Sequence, residues 1–318
     1  MHALWLEEQK LEFRTDVSAP VSTPGQALIR MHLSGVCSTD LELVRGYYPF
    51  SGIPGHEFIG EVVSSPDDQT WGGKRVVGEI NIACGECAMC RAGFPRHCER
   101  RRTLGIHGWN GVFAEYLVLP VANLHIVPDD LPDELAVFTE PVAAAYEILE
   151  QVQFHPENRV LVIGAGRLGQ LVSQVLQTTS SQLEVLSRHP KQQQLLIDRG
   201  IQLVTDIPAG KKYDIIIEAT GTPEGFLLAR QAVRPRGTVI LKSTYKGDVQ
   251  VNFSSIVVDE VNLVGSRCGP FEPALKLLED GRVDPKPLIE DIYPLDQGKS
   301  AFEHAGKPGA LKVLIRPG

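Results

Sequence analysis

Cys84-x₂-Cys87-x₂-Cys90-x₇-Cys98 is the densest concentration of metal-type chemistry in the sequence. Four soft ligands bunched in one loop suit a closed tetrahedral zinc site, which stabilises a segment otherwise short of apolar core. An iron–sulfur cluster also takes four cysteines, but Gly85, Gly93 and Pro95 outline a short lobe rather than a cluster-burying domain. Upstream lie Gly35-Val-Cys37-Ser-Thr39-Asp40 and Gly52-Ile-Pro-Gly55-His56-Glu57. One thiolate, one imidazole and one carboxylate suit a zinc ion that keeps an open position for a ligand. Taken alone, Cys37 reads as a buried thiol and His56 as a loop histidine. The four-cysteine motif beside them favours the metal reading.

A second chemistry is written at Arg159-Val-Leu-Val-Ile-Gly164-Ala-Gly166-Arg167-Leu168-Gly169-Gln170. Val160 to Ile163 form an apolar run, and Leu168, Leu171, Val172, Val175 and Leu176 then recur at helical spacing. This strand, G-x-G-x-x-G, helix order is the context of a dinucleotide turn. Gly164 allows the tight turn, Gly166 lets the backbone approach a pyrophosphate, and Gly169 lets helix and strand pack closely. Arg167 and Leu168 complete the candidate turn. Cofactor preference is set at the end of the next strand, where Asp or Glu would bind a ribose 2′-OH. This chain instead reads Ser187-Arg188-His189-Pro190-Lys191. Ser187, Arg188 and Lys191 could hold a 2′-phosphate that a carboxylate would repel, so NADP(H) is expected over NAD(H). Glu218-Ala-Thr-Gly221 ends the fourth strand beside the expected cofactor. Gly265-Ser266-Arg267-Cys268 ends the last strand, at the nicotinamide end.

These residues need two supporting folds. A chain of 318 residues allows about two domains. Residues 1 to about 120 hold short β-type runs such as 27–33, 58–63 and 113–119, separated by Gly and Pro, which predicts a compact, mostly antiparallel β domain. A helix is expected from Leu135 to Gln151, at a crossing between domains where a substrate cleft would be expected. Beyond it, strands at 159–164, 183–187, 202–205, 213–219, 237–242 and 261–265 alternate with helices at 167–178, 189–199 and 223–234. That alternation predicts an α/β, doubly wound parallel sheet. A helix from Pro273 to Glu279, short strands and another helix complete the chain.

A net charge of -8 and a pI near 5.6 argue against a nucleic-acid or anionic-membrane surface. Arg91, Arg96, Arg100, Arg101 and Arg102 around the cysteine lobe are the one feature that would suit nucleic acid. Neither a signal sequence nor an apolar run near ~20 residues is seen, and a cytoplasmic protein is expected. Six cysteines, four of them in one loop, point to metal rather than a disulfide scaffold.

The ordered set Gly35-Val-Cys37-Ser-Thr39-Asp40, Gly55-His56-Glu57, the four-cysteine lobe, Thr139-Glu140-Pro141 and the later Rossmann unit resembles the medium-chain, zinc-dependent alcohol and polyol dehydrogenases. The resemblance covers nearly the whole chain. It implies a GroES-like catalytic domain (1–130 and 268–318, with the zinc lobe at 84–98) and a Rossmann domain (131–267). It also implies a hydride passed between nicotinamide and an alcohol or carbonyl at zinc. Cys37 and His56 fall on catalytic zinc ligands. Glu57 falls on a carboxylate that binds the metal in some relatives and stands behind it in others. Glu140 falls where polyol-type members carry a glutamate ligand, which points to the polyol, sugar and threonine branch. Thr39 falls on the hydroxyl that relays the substrate proton.

The chain departs from the pattern at Leu41-Glu42-Leu43, where many relatives carry a relay histidine, so Glu42 or solvent must substitute. By the same resemblance a homodimer or homotetramer is expected, extended through the last strand near Val261 to Gly265. Two other readings share parts of the pattern: a zinc-independent quinone or enone reductase, and a non-enzymatic NADPH-binding or sensing protein. Cys37, His56 and the cysteine lobe argue against the first, and the set Cys37, His56 and Glu140 argues against the second.

Overall fold

The computed structural model describes residues 1–207, 210, 212–244 and 248–318. The chain divides into two compact units. The first comprises Met1–Glu140, Phe271–Glu279 and Leu288–Gly318; the second comprises Pro141–Pro270 and Asp280–Pro287.

The first unit is built on a mostly antiparallel sheet whose central strand is Gln26–Gly35. Ala27, Ile29, Met31 and Leu33 alternate into the core along it, the period-2 pattern of a strand with one face buried. Glu57–Ser64 pairs with it on one side and Lys312–Arg316 on the other, both antiparallel, while Tyr116–Pro120 pairs with its first half. Gly35 lies opposite both Glu57 and Leu314. The end of the central strand is therefore where three distant stretches meet. A small three-stranded sheet of Asn81–Ile82, Arg102–Leu104 and Gly108–Trp109 carries the cysteine lobe.

The second unit holds a six-stranded, all-parallel sheet. Across the sheet the order is Gln202–Val204, Gln182–Leu186, Arg159–Ile163, Tyr213–Glu218, Val233–Leu241 and Asn262–Gly265. The strand order reverses between Arg159–Ile163 and its neighbours, the switch point of a doubly wound fold. Helix Arg167–Gln177 buries Leu171, Val172, Val175 and Leu176, while Leu168 is half-buried. Leu263 on the Asn262–Gly265 edge strand is exposed, as are Phe253, Val257 and Val258 of the preceding helix Phe253–Val258.

The single helix expected from Leu135 to Gln151 is two helices, Asp133–Ala136 and Thr139–Gln151. Pro141 explains the break. A continuous helix would need the N–H that proline lacks, whereas near a helix start that N–H has no partner to lose. The Thr139 hydroxyl donates to Ala136 O at 2.7 Å, closing the junction.

The unit boundaries also differ from those expected at 130 and 268. Residues 131–140 lie in the first unit, where Arg75 bonds Asp133 and the Pro128, Asp129 and Leu131 carbonyls. Residues 280–287 lie in the second, held by Asp284 N donating to Gln174 and Arg199 donating to Arg282 O. No long-range periodicity marks these side-chain ties.

Candidate active site and metal centres

Cys37 follows the central strand and caps helix Ser38–Val44. Its N–H donates to Asp40 Oδ2 at 2.8 Å, and Asp40 is fully buried, so the cysteine's backbone is fixed from one turn ahead. His56 precedes the strand that begins at Glu57, and the register that sets Gly35 opposite Glu57 brings the two segments together. One donor atom each from Cys37, His56 and Glu57 lie within 4.8 Å of one another. His56 Nδ1 sits 3.4 Å from Asp40 Oδ1, and neither atom has a hydrogen-bond partner. Burial depresses the imidazole pKa, but Asp40 and Cys37 outweigh it and hold the ring well above its ordinary value.

A glycine junction locks the His56 loop. Gly55 has φ +97°, and a Cβ on Gly105 or Gly111 would lie 2.1 or 2.2 Å from Gly55 O. Only glycine fits at either position. Gly111 N donates to Ile53 O and Val112 N to Gly55 O, so the chain just before His56 is stitched to 111–113.

Glu57 has a partner the sequence did not announce. Lys312, 255 positions away, donates to Glu57 Oε2, and both side chains are almost fully buried. The ammonium also lies 5.6 Å from the Phe138 ring centroid. Gly35 makes room for the pair: a Cβ there would stand 2.3 Å from Glu57 Oε2. Glu140, in the first turn of helix Thr139–Gln151, is outside the Cys37–His56–Glu57 group. Thr39 Oγ1 is 3.9 Å from Cys37 Sγ. Glu42 is engaged by Arg45 at 2.6 Å.

In the lobe, Cys84, Cys87, Cys90 and Cys98 also bring their sulfurs within 4.8 Å, with separations of 3.4 Å for Cys87–Cys90 and 3.5 Å for Cys84–Cys98. All four are free thiols. The Glu86 backbone N–H, with others, pulls the Cys84 thiol down to about 6; desolvation and the neighbouring thiols push Cys90 up to about 12. The donor set fits a zinc cage. The surrounding arginines have internal partners: Arg96 on Glu79, Arg100 on Glu86, Arg91 on Glu86 O and Arg102 over the Trp109 ring. That leaves little of the basic cluster for nucleic acid.

In the second unit, Gly164 has φ +99° and packs against Ala219, where a Cβ would meet the carbonyl at 2.8 Å. A Cβ on Gly169 would stand 2.0 Å from Gly164 O. Gly166 faces open space and starts helix Arg167–Gln177 without a side-chain cap, as an anion site requires. At the next strand's end, the Ser187 hydroxyl is buried with no hydrogen-bond partner. Arg188 and Lys191 are exposed beside it.

Together the clustered donors and the glycine turn define a nicotinamide-dependent oxidoreductase. Residues 23–129 match the alcohol dehydrogenase GroES-like domain family. The chain is 30% identical to sorbitol dehydrogenase of Halalkalibacterium halodurans, with 94% of each chain covered. It is 28% identical to D-arabinitol dehydrogenase 1 of Uromyces fabae, covering 100% of this chain and 97% of that one. A candidate zinc-binding dehydrogenase from Sinorhizobium meliloti, solved with NADP bound, superposes with a TM-score of 0.91 at 26% identity over 99% of both chains. This chain belongs to the medium-chain, zinc-dependent alcohol and polyol dehydrogenases and is an NAD(P)-dependent enzyme of that class.

Among the described residues no helix is long and apolar enough to cross a membrane. Lys312 and Asp40 are the site residues that sequence reasoning left without a role. Asp40 was signalled by its place in the Cys37 motif; for Lys312 no local signal exists.

Proposed function

We propose that the protein is an NADP(H)-preferring dehydrogenase of polyols or sugars, with Zn²⁺ at Cys37, His56 and a carboxylate, and a second Zn²⁺ in the four-cysteine lobe. The carboxylate is Glu57 in the grouping found here and Glu140 by the family pattern. The observation that carries the cofactor preference is the buried, unpartnered Ser187 hydroxyl where an NAD enzyme would place an acid. A 2′-phosphate would give that hydroxyl its partner, and Arg188 and Lys191 would add charge.

Zinc, when bound, supplies a Lewis acid for the substrate oxygen, and the nicotinamide supplies the hydride chemistry. The chain's own groups do the rest. Asp40 fixes Cys37 through its N–H and faces the His56 ring, so both ligands are held before metal arrives. Thr39, half-buried in the first turn of its helix, takes and returns the hydroxyl proton. Glu42 is committed to Arg45, which favours solvent as the onward proton acceptor. The glycine turn at 164–169 receives the pyrophosphate at a helix start.

Nicotinamide absorbance, followed with NADPH and NADH in parallel across aldehydes, ketones and keto-sugars, tests this reading. NADPH should be preferred by roughly tenfold or more, and Ser187→Asp should reverse the order. Equal turnover with both cofactors in both proteins would refute the preference. No turnover with any carbonyl would refute the substrate class.

A further inference from the structure

Lys242 follows the fifth strand of the parallel sheet, Val233–Leu241, and is 9% exposed. Its three N–H groups find three acceptors: Ala144 O at 2.6 Å, Arg267 O at 2.9 Å and Ser266 Oγ at 3.2 Å. It thereby joins the segment after the sixth strand to the body of helix Thr139–Gln151. Two further ties fasten the same segment to that helix. Gln151 donates to Gly265 O at 3.1 Å, and Gly269 packs so closely that a Cβ would lie 2.0 Å from Ala143 O. Next door, Gly221 N donates to Ser243 Oγ at 2.8 Å, so the loops after the fourth, fifth and sixth strands are knitted across one edge.

That edge is the cofactor's. Ile163 pairs with Glu218, Glu218 with Leu241, and Leu241 with Gly265, so the carboxyl ends of these strands stand level with the Gly164 turn. Ser187 lies on the opposite side of the turn, after the neighbouring strand. A dinucleotide with its adenosine end at Ser187 and its pyrophosphate at Gly166 must run toward the fourth to sixth strands. At about 4.8 Å per strand, the Lys242-clamped segment lies about 14 Å from the first strand, where the nicotinamide half would end.

We propose that Lys242 is a positioning residue that fixes the backbone of 265–269 as the wall against which the nicotinamide ring is seated. It acts through Ser266 and Arg267 without touching the cofactor. The proposal rests on the dinucleotide reading given above.

The test compares two ligands on the full chain by fluorescence titration: NADPH, and 2′-phospho-ADP-ribose, which has the adenosine and pyrophosphate but no nicotinamide. Lys242→Met should weaken NADPH about tenfold, lower kcat by a similar factor and shift the bound-nicotinamide emission toward that of free NADPH. The truncated ligand should bind within about twofold of wild type. Ser266→Ala removes one acceptor without leaving a buried ammonium site empty, so it keeps the proposal testable if Lys242→Met does not fold. It should weaken NADPH about threefold and leave the truncated ligand unchanged. Equal losses for both ligands would mean a purely structural lysine and overturn the proposal, as would unchanged NADPH binding. A wild-type protein that binds neither ligand would instead overturn the dinucleotide reading, and this one with it.

Discussion

The two donor clusters of the first unit are built in opposite ways. The lobe draws all its donors from one loop, and they are identical: four thiols with sulfurs as close as 3.4 Å. The Cys37–His56–Glu57 centre draws unlike donors from the ends of two paired strands, with Asp40 behind the ring and Lys312 against the carboxylate. A closed set of four thiolates can do little except hold a metal, so its energy goes into folding. A mixed set with fewer donors leaves room for a ligand, and its neighbours then matter as much as the donors themselves.

Substitutions at three positions would break or sharpen this contrast. Cys37→Ala should lower kcat by about a thousandfold or more while leaving NADPH affinity and fold intact, read by steady-state kinetics beside cofactor titration. Retained turnover would end the catalytic-metal reading. Cys98→Ser should remove one of the two proposed zinc equivalents by elemental analysis and lower Tm by roughly 5 °C, with kcat at low temperature changed less than about threefold. If turnover fell as far as in Cys37→Ala, the division of labour between the clusters would be wrong. Lys312→Met should lower kcat by about tenfold, between the other two, with Lys312→Arg restoring most of it. A full-activity Lys312→Met protein would show that the Glu57 carboxylate needs no restraint.

Legibility in the sequence followed the same divide. The lobe, the glycine turn and the parallel strands were readable because each is encoded within a short window: thiol spacing, strand–turn–helix order, apolar runs. The parallel character of the sheet and most strand positions followed from that local code. The break at 137–138 was readable in principle, since Pro141 sits inside the expected helix and suits only an early helical position. Lys312 was not. Its role exists only because Lys312–Arg316 pairs beside Gly35, an event of register between strands nearly three hundred positions apart. Whether Glu57 or Glu140 joins Cys37 and His56 is likewise a question of which backbone ends converge, which residue types cannot express. The unit boundaries depend on single side-chain ties such as Arg75 to Asp133, whose sequence signature is two ordinary surface-type residues.

The glycine junction around Gly55 has a consequence for how such an enzyme can change. With Gly105 and Gly111 pressed on the Gly55 carbonyl and Phe113 filling the space above, the approach to His56 admits no new side chain. Its flanks do: Pro49, Phe50 and Ser51 on one side and His107, Trp109 and Asn110 on the other border an open cavity of about 380 Å³. Variation is thereby channelled. The anchor of the histidine is a fixed point, and side chains bordering the neighbouring cavity can vary, residue by residue, without entering the space that the glycines keep clear.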